Sequence, residues 1–185
     1  MGTAYKNFWS LNTDEAVVTG ILRDKTPKEI EVYMPVNAQM KDVDLLLMNM
    51  KNKKVLTIQV KGSKAYEPKP NEIKKFGDGS CGWFFFSKDI IHRSNTDYFI
   101  FLIYVIREDQ KIGRRFIEPH TIIIPTKKLQ TLCKAHKTPH GPDRYSFYFW
   151  VDPKKKKAFD WRDKLFDVSE YLDEKGFQKL IKKTK

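Results

Sequence analysis

Apolar residues recur at helical spacing near the two ends of the chain, and between them they come in short blocks that read as strands. Val17, Val18, Ile21 and Leu22 fall on one face of a helix. That helix starts around Asn12-Thr13-Asp14-Glu15, where early carboxylates suit a helix N-terminus, and stops before Thr26-Pro27. Glu29 to Val36 alternates and predicts a strand. Val43 to Met50 and Val55 to Val60 are apolar blocks joined by the polar turn Lys51-Asn52-Lys53-Lys54, which predicts a two-stranded hairpin. Residues 62 to 80 are rich in Gly, Pro and Lys and read as a loop or flap.

Further on, Trp83-Phe84-Phe85-Phe86 reads as a strand or a core anchor, and Phe99 to Ile106 as a central strand covered on both faces. Phe116 to Ile124 predicts another strand. Pro125-Thr126 opens a short helix through Leu129 and Leu132, and Tyr145 to Val151 is a late strand. A last helix is expected to carry Leu165, Val168, Leu172, Leu180 and Ile181, bent or broken at Gly176. A helix, several strands and then mixed elements predict an α/β domain around one central sheet spanning residues 1–185.

Composition narrows the class. A chain of 185 residues that is 41% hydrophobic and 14% aromatic can bury a core, which excludes a disordered protein. The longest apolar run, Tyr98 to Ile106, falls short of the roughly 20 residues a membrane helix needs. Met1 to Lys6 shows no apolar signal core, and Cys81 and Cys133 make no disulfide framework. A soluble cytoplasmic protein without a membrane partner is expected. The net charge of +12 points to a polyanionic partner, nucleic acid above all, because neutralised phosphates release counterions.

The candidate chemistry lies on the hairpin. Asp44 heads its first strand, while Gln59 and Lys61 are two apart on the second and so share a face. Pairing about the turn brings a carboxylate, an amide oxygen and an ammonium to one sheet edge. Asp44, Gln59 and the carbonyl of Val60 offer oxygen ligands of the kind Mg²⁺ or Mn²⁺ prefers, and Lys61 can position an attacking water. Such a site suits hydrolysis of a phosphodiester. Asp42 is the rival acid, one alternation earlier; Asp44 is preferred because it abuts the apolar strand.

The pattern Val43-Asp44-Leu45-Leu46-Leu47 followed by Ile58-Gln59-Val60-Lys61-Gly62-Ser63 resembles the PD-(D/E)XK nuclease superfamily, in the variants that carry Gln in place of the second acid. The resemblance covers residues 13 to 63. It implies a restriction-endonuclease-like fold, a central mixed sheet flanked by helices, and Mg²⁺-dependent cleavage of nucleic acid, most naturally DNA. Two departures stand out: Val43 replaces the motif's Pro, and the neutral Gln59 removes a negative charge from the ligand set. The resemblance implies that an acid from the first helix compensates, and Glu15 matches that place on the face of Val18 and Leu22. A capping box between Asn12 and Glu15 is the competing account of that glutamate. A double-strand cut needs two such sites, which points to a homodimer.

Other residues carry less. Cys133, His136 and His140 suggest zinc, but four paired ligands are wanting and a Pro/Gly-rich loop explains the segment better. Lys74, Lys75, Arg114, Arg115 and Lys154 to Lys157 are candidate phosphate contacts, with Tyr66, Phe76 and Trp83 as candidate stacking partners for bases. Two alternatives stay open: a nuclease-fold module that binds nucleic acid or assembles with partners but has little or no chemistry, and a basic RNA-binding protein in which Asp44 and Lys61 are only an ion pair.

Overall fold

The computed structural model describes residues 13–35, 42–109, 111–135, 143–162 and 165–185. A helix, α1 (Thr13–Lys25), leads into β1 (Ile30–Tyr33), β2 (Leu45–Asn49) and β3 (Val55–Gly62). Then follow α2 (Pro70–Phe76), β4 (Ser80–Ser87), α3 (Lys88–His92), β5 (Tyr98–Asp109), β6 (Arg114–Pro125) and α4 (Thr126–Ala135). The chain closes with β7 (Arg144–Asp152), β8 (Lys157–Asp160), β9 (Phe166–Asp167), a 3₁₀ turn at Ser169–Tyr171 and α5 (Asp173–Thr184).

The expected hairpin forms, with Leu45 opposite Ile58 and Leu47 opposite Leu56. It sits in a five-stranded mixed sheet ordered β1-β2-β3-β5-β6, in which only β3 and β5 run parallel. Asp97 pins that parallel register: its carboxylate accepts the Thr57 N–H at 2.8 Å and the Thr57 hydroxyl at 3.0 Å. β5 is the predicted central strand. Phe99, Ile100, Phe101, Leu102 and Ile103 are all fully buried. Burial of one such side chain is worth roughly 1.5–3 kcal/mol, so this strand anchors the core.

The two faces of the sheet are covered differently. Leu56, Ile58, Val60, Ile100 and Leu102 pack with Val18 and Leu22 of α1 and Phe177 and Leu180 of α5. Phe99, Phe101 and Ile103 face Phe84, Phe147 and Phe149 instead. Those rings belong to a second sheet, ordered β4-β7-β8-β9, where a single sheet was expected. The fold is thus mixed α/β, with its mixed sheet flanked by helices and backed by a second sheet. The sequence pattern hid β8 and β9 because each is short, and because the Lys154–Lys157 run looks like solvated charge until Lys157 enters the ladder.

Two further expectations are corrected. The stretch read as a loop contains α2, whose backbone start at Lys69 donates to Glu72 at 2.7 Å. The last helix begins at Asp173, so Leu165, Val168 and Leu172 lie before it. Gly176 does not break α5; a Cβ there would lie 2.4 Å from the Tyr171 carbonyl oxygen, so glycine serves close packing. The end of α5 is tied to the hairpin turn, where the amides of Asn49 and Asn52 donate to the Thr184 carbonyl at 3.1 and 3.0 Å. Among the described residues no helix is long and apolar enough to cross a membrane.

Candidate active site

The β2–β3 ladder stops at Leu45 and Ile58, and beyond it the Asp44 side chain takes over as partner. The Asp44 N–H still donates to the Ile58 carbonyl at 2.9 Å. Its Oδ2 then accepts the Val60 N–H at 2.6 Å, a short charge-assisted bond that fixes the carboxylate against β3. The Lys61 ammonium lies 3.9 Å from the same oxygen. A pair this loose, between half-buried side chains, adds about 1 kcal/mol to stability, so its significance is placement. Asp42, the rival acid, is exposed and takes a positive φ of 74° in the turn before β2.

Gln59 is 5% exposed, and its Oε1 is buried with no hydrogen-bond partner among the described residues. Leaving a buried acceptor unpaired costs about 1–3 kcal/mol, and the hydroxyls of Thr19, Thr126 and Ser146 share this condition among the described residues. Strand alternation puts Gln59 and Lys61 on the face away from α1, because Ile58 and Val60 belong to the α1 cluster. The Gln59 amide and the Lys61 ammonium thus share one face of β3, and the ammonium contacts the carboxylate at the head of β2. Among the described residues, no three His, Cys, Asp or Glu side chains gather closely enough to hold a metal ion. Any ion here would therefore depend on the Gln59 amide and a backbone carbonyl as well as Asp44.

The first helix brings a second carboxylate to the end of β3, and it is that of Asp14. A Cβ at position 62 would lie 1.9 Å from Asp14 Oδ2, so glycine there is what admits the carboxylate. The Tyr104 hydroxyl donates to Asp14 Oδ1 at 3.0 Å. Burial and this carboxylate push the Tyr104 phenol up to about 12. Glu15 is half-buried in the same first turn. Asn12, the other member of the capping box considered for it, lies outside the described residues. Asp14 sits four residues before Val18, so helical spacing made it as eligible as Glu15; the glycine after Lys61 was the available signal. Ser63, read in the sequence only as part of the motif, has a positioning role. Its N–H reaches the Leu102 carbonyl at 3.1 Å and its hydroxyl accepts the Trp83 N–H at 2.9 Å, which stitches the end of β3 to the second sheet.

The residues proposed for stacking contact other rings of the protein, though Trp83 is still 41% exposed and Tyr66 and Phe76 are half-buried. Trp83 stacks on Tyr148 at 5.1 Å and meets Tyr66 at 5.2 Å. Phe76 lies between Trp150 and Trp161, at 5.4 and 5.1 Å. Of the proposed phosphate contacts, Arg115 pairs with Glu67, Lys154 with Asp78, Lys155 with Asp152 and Lys157 with Asp167. Lys74, Lys75, Arg114 and Lys156 make no ion pair among the described residues, and Lys75 lies over the Phe76 ring at 4.9 Å. Cys133 is buried in the core, which pushes its thiol up to about 12, and Cys81 is likewise buried and unpaired. His136 and His140 lie outside the described residues.

A separate acid–base group joins β6 to α5. Asp173, held at a φ of 42°, accepts the Thr121 N–H at 2.7 Å and contacts His120 Nδ1 at 2.8 Å. Glu118 approaches His120 Nε2 at 3.5 Å, a charge contact rather than a hydrogen bond. Burial works against the charged imidazole, but the hydrogen bond and charge of Asp173, with Glu118 adding to them, hold its pKa above the ordinary histidine value.

No family model matches this chain, and no curated protein does so. Among solved structures, the chain is similar to one described as the structure of a bacterial homing endonuclease, I-Ssp6803I. The likeness covers 94% of this chain and 95% of that one, at 11% identity and a TM-score of 0.46.

Proposed function

We propose that this protein is a metal-dependent nuclease that hydrolyses phosphodiester bonds of nucleic acid, DNA foremost, at the junction of β2 and β3. The observation that carries this reading is Gln59 Oε1, buried and unpartnered on the strand that also carries Lys61, beside the fixed carboxylate of Asp44. A folded chain tolerates such an oxygen most readily where a ligand completes it. Oxygen donors of this kind suit Mg²⁺ or Mn²⁺. Asp44, Gln59 and the Val60 carbonyl would hold the ion, with Glu15, which α1 carries on the other face of β3, completing the set through a water at the sheet edge. When bound, the ion polarises the phosphate and lowers the pKa of a water. Lys61 orients that water and stabilises charge developing on the phosphate. Asp44 anchors Lys61 through their contact, and the Val60 N–H keeps Asp44 in place.

A second reading is a module of this fold that binds nucleic acid with little or no cleavage. It is favoured by the lack of a cluster of three acids or histidines among the described residues. Incubation with plasmid and with single-stranded substrates in Mg²⁺, Mn²⁺ or EDTA separates the two. The nuclease cleaves with metal only, and Asp44→Ala and Lys61→Ala abolish cleavage; the module binds under every condition and cleaves under none.

A further inference from the structure

β5 and β6 pair along their whole length, from Tyr98 opposite Pro125 to Asp109 opposite Arg114. β3 accompanies β5 only as far as Leu102. The far half of this ribbon carries apolar side chains in solvent: Ile112 is 63% exposed, Phe116 49% and Ile117 58%. β6 is also the edge of its sheet. Among the described residues, the backbone on the outer side of β6 is taken up by a bridge from Ile122 to Leu172 and by the Asp173 side chain, both at its Thr121 end. An edge that presents free backbone groups together with apolar side chains is a template for strand addition.

The ribbon's charges argue for what adds there. Within a chain of net charge +12, the stretch from Arg107 to Glu118 sets Arg107, Lys111, Arg114 and Arg115 against Glu108, Asp109 and Glu118. It is nearly balanced, a poor match for phosphate but a good one for a surface of the same kind. Backbone direction fixes the register. The Thr121 N–H points outward, to Asp173, so with a period of two the backbone groups of Pro119, Ile117 and Arg115 point outward as well. Pro119 lacks an N–H and limits pairing on that side.

We propose that this edge is a homodimer interface, in which β6 pairs antiparallel with β6 of a second copy about a two-fold axis at Phe116. Phe116 then faces Phe116 of the second copy. Arg115 and Ile117 exchange backbone hydrogen bonds, and Arg114 lies opposite Glu118 on both sides of the axis. Aromatic and opposite-charge cross-strand pairs are the contacts that stabilise antiparallel strands, and an interface of this symmetry must be self-complementary. The inference is independent of the nuclease reading, since it concerns assembly of the protein alone.

The test is the oligomeric state of the full chain, by sedimentation without nucleic acid or added metal. The wild type should associate with rising concentration. Arg114→Glu or Glu118→Arg should each weaken association by roughly tenfold or more, and the two together should restore it. Glu118 also binds Arg107 within its own chain at 2.7 Å, a contact that the double variant does not restore, so recovery reports the contact between copies. Independently, Phe116→Cys should oxidise to a covalent dimer, because cross-strand residues at such a position lie about 4.5 Å apart at Cα. Ile112→Cys should not. A wild type that stays monomeric at every concentration reached, association indifferent to Arg114→Glu, no recovery in the double variant, or equal cross-linking at both cysteines would each overturn the proposal.

Discussion

Replacing Gln59 by Met removes the amide and keeps an unbranched side chain of similar volume. In most buried positions, loss of a polar group that makes hydrogen bonds destabilises a protein. Here Oε1 has no partner and the side chain is 5% exposed, so the amide oxygen carries a desolvation cost of about 1–3 kcal/mol with nothing opposite to offset it. Met relieves that cost, and volume-conserving swaps of this kind add strain of less than about 1.5 kcal/mol. The expected net effect is a gain of about 1 kcal/mol, which for a chain of this size raises Tm by roughly 2–4 °C. Thermal unfolding in EDTA, followed by circular dichroism, reads it directly. If the proposed site holds Mg²⁺ or Mn²⁺, either ion should raise the wild-type Tm further and the variant should lose that rise, because an ion stabilises only the state that binds it. A Gln59→Met protein that melts several degrees below the wild type in EDTA would falsify the reasoning. It would mean that the amide has a structural partner and is not held ready for a ligand.

Three further outcomes follow from the geometry. Gly62→Ala should destabilise the protein by about 1–3 kcal/mol in a denaturant titration and slow cleavage, since its Cβ would lie 1.9 Å from Asp14 Oδ2; Gly20→Ala, with nothing within 4 Å, should instead stabilise α1 by up to about 1 kcal/mol. His120 has a raised pKa, so its bond to Asp173 contributes fully below the unfolded histidine value and is lost as pH rises through the folded one. Wild-type Tm should therefore fall relative to that of His120→Gln as the pH is taken from 5.5 to 8.5, roughly the range across which a histidine of raised pKa discharges; parallel curves would remove the link. Glu15→Gln and Asp14→Asn distinguish the two acids of α1. A loss of metal-dependent cleavage confined to Glu15→Gln assigns the ligand role to Glu15, whereas a loss confined to Asp14→Asn assigns it to the carboxylate that rests on Gly62.

Much of this was legible in the sequence, for reasons tied to particular residues. The hairpin could be read because two apolar blocks flank one polar turn, and β5 because Phe99 to Ile106 has no polar interruption. That pairing brings Asp44 to Lys61 followed from alternation and turn length alone. Other features depend on contacts between residues distant in the chain. Nothing local marks Phe84, Phe147 and Phe149 as a second sheet rather than further strands of the first; only their packing on Phe99 and Phe101 does so. α5 begins later than its apolar spacing suggests because Asp173 is claimed by Thr121 and His120. The choice between Asp14 and Glu15 depends on Gly62, which spacing along α1 cannot show. The partnerless oxygen of Gln59 is a property of the packed structure and has no sequence signature.

The central claim is that Lys61 and Asp44 perform chemistry on a bound phosphodiester, and single-turnover cleavage with Lys61→Ala tests it most directly. With enzyme in excess over a labelled duplex in Mg²⁺, the wild type should cleave and EDTA should stop it. Lys61→Ala should bind the duplex comparably but cleave roughly 10²–10³ times more slowly, the usual cost of deleting one preorganised group that stabilises developing charge. Equal cleavage rates for wild type and Lys61→Ala would contradict the account, whatever the metal requirement proved to be.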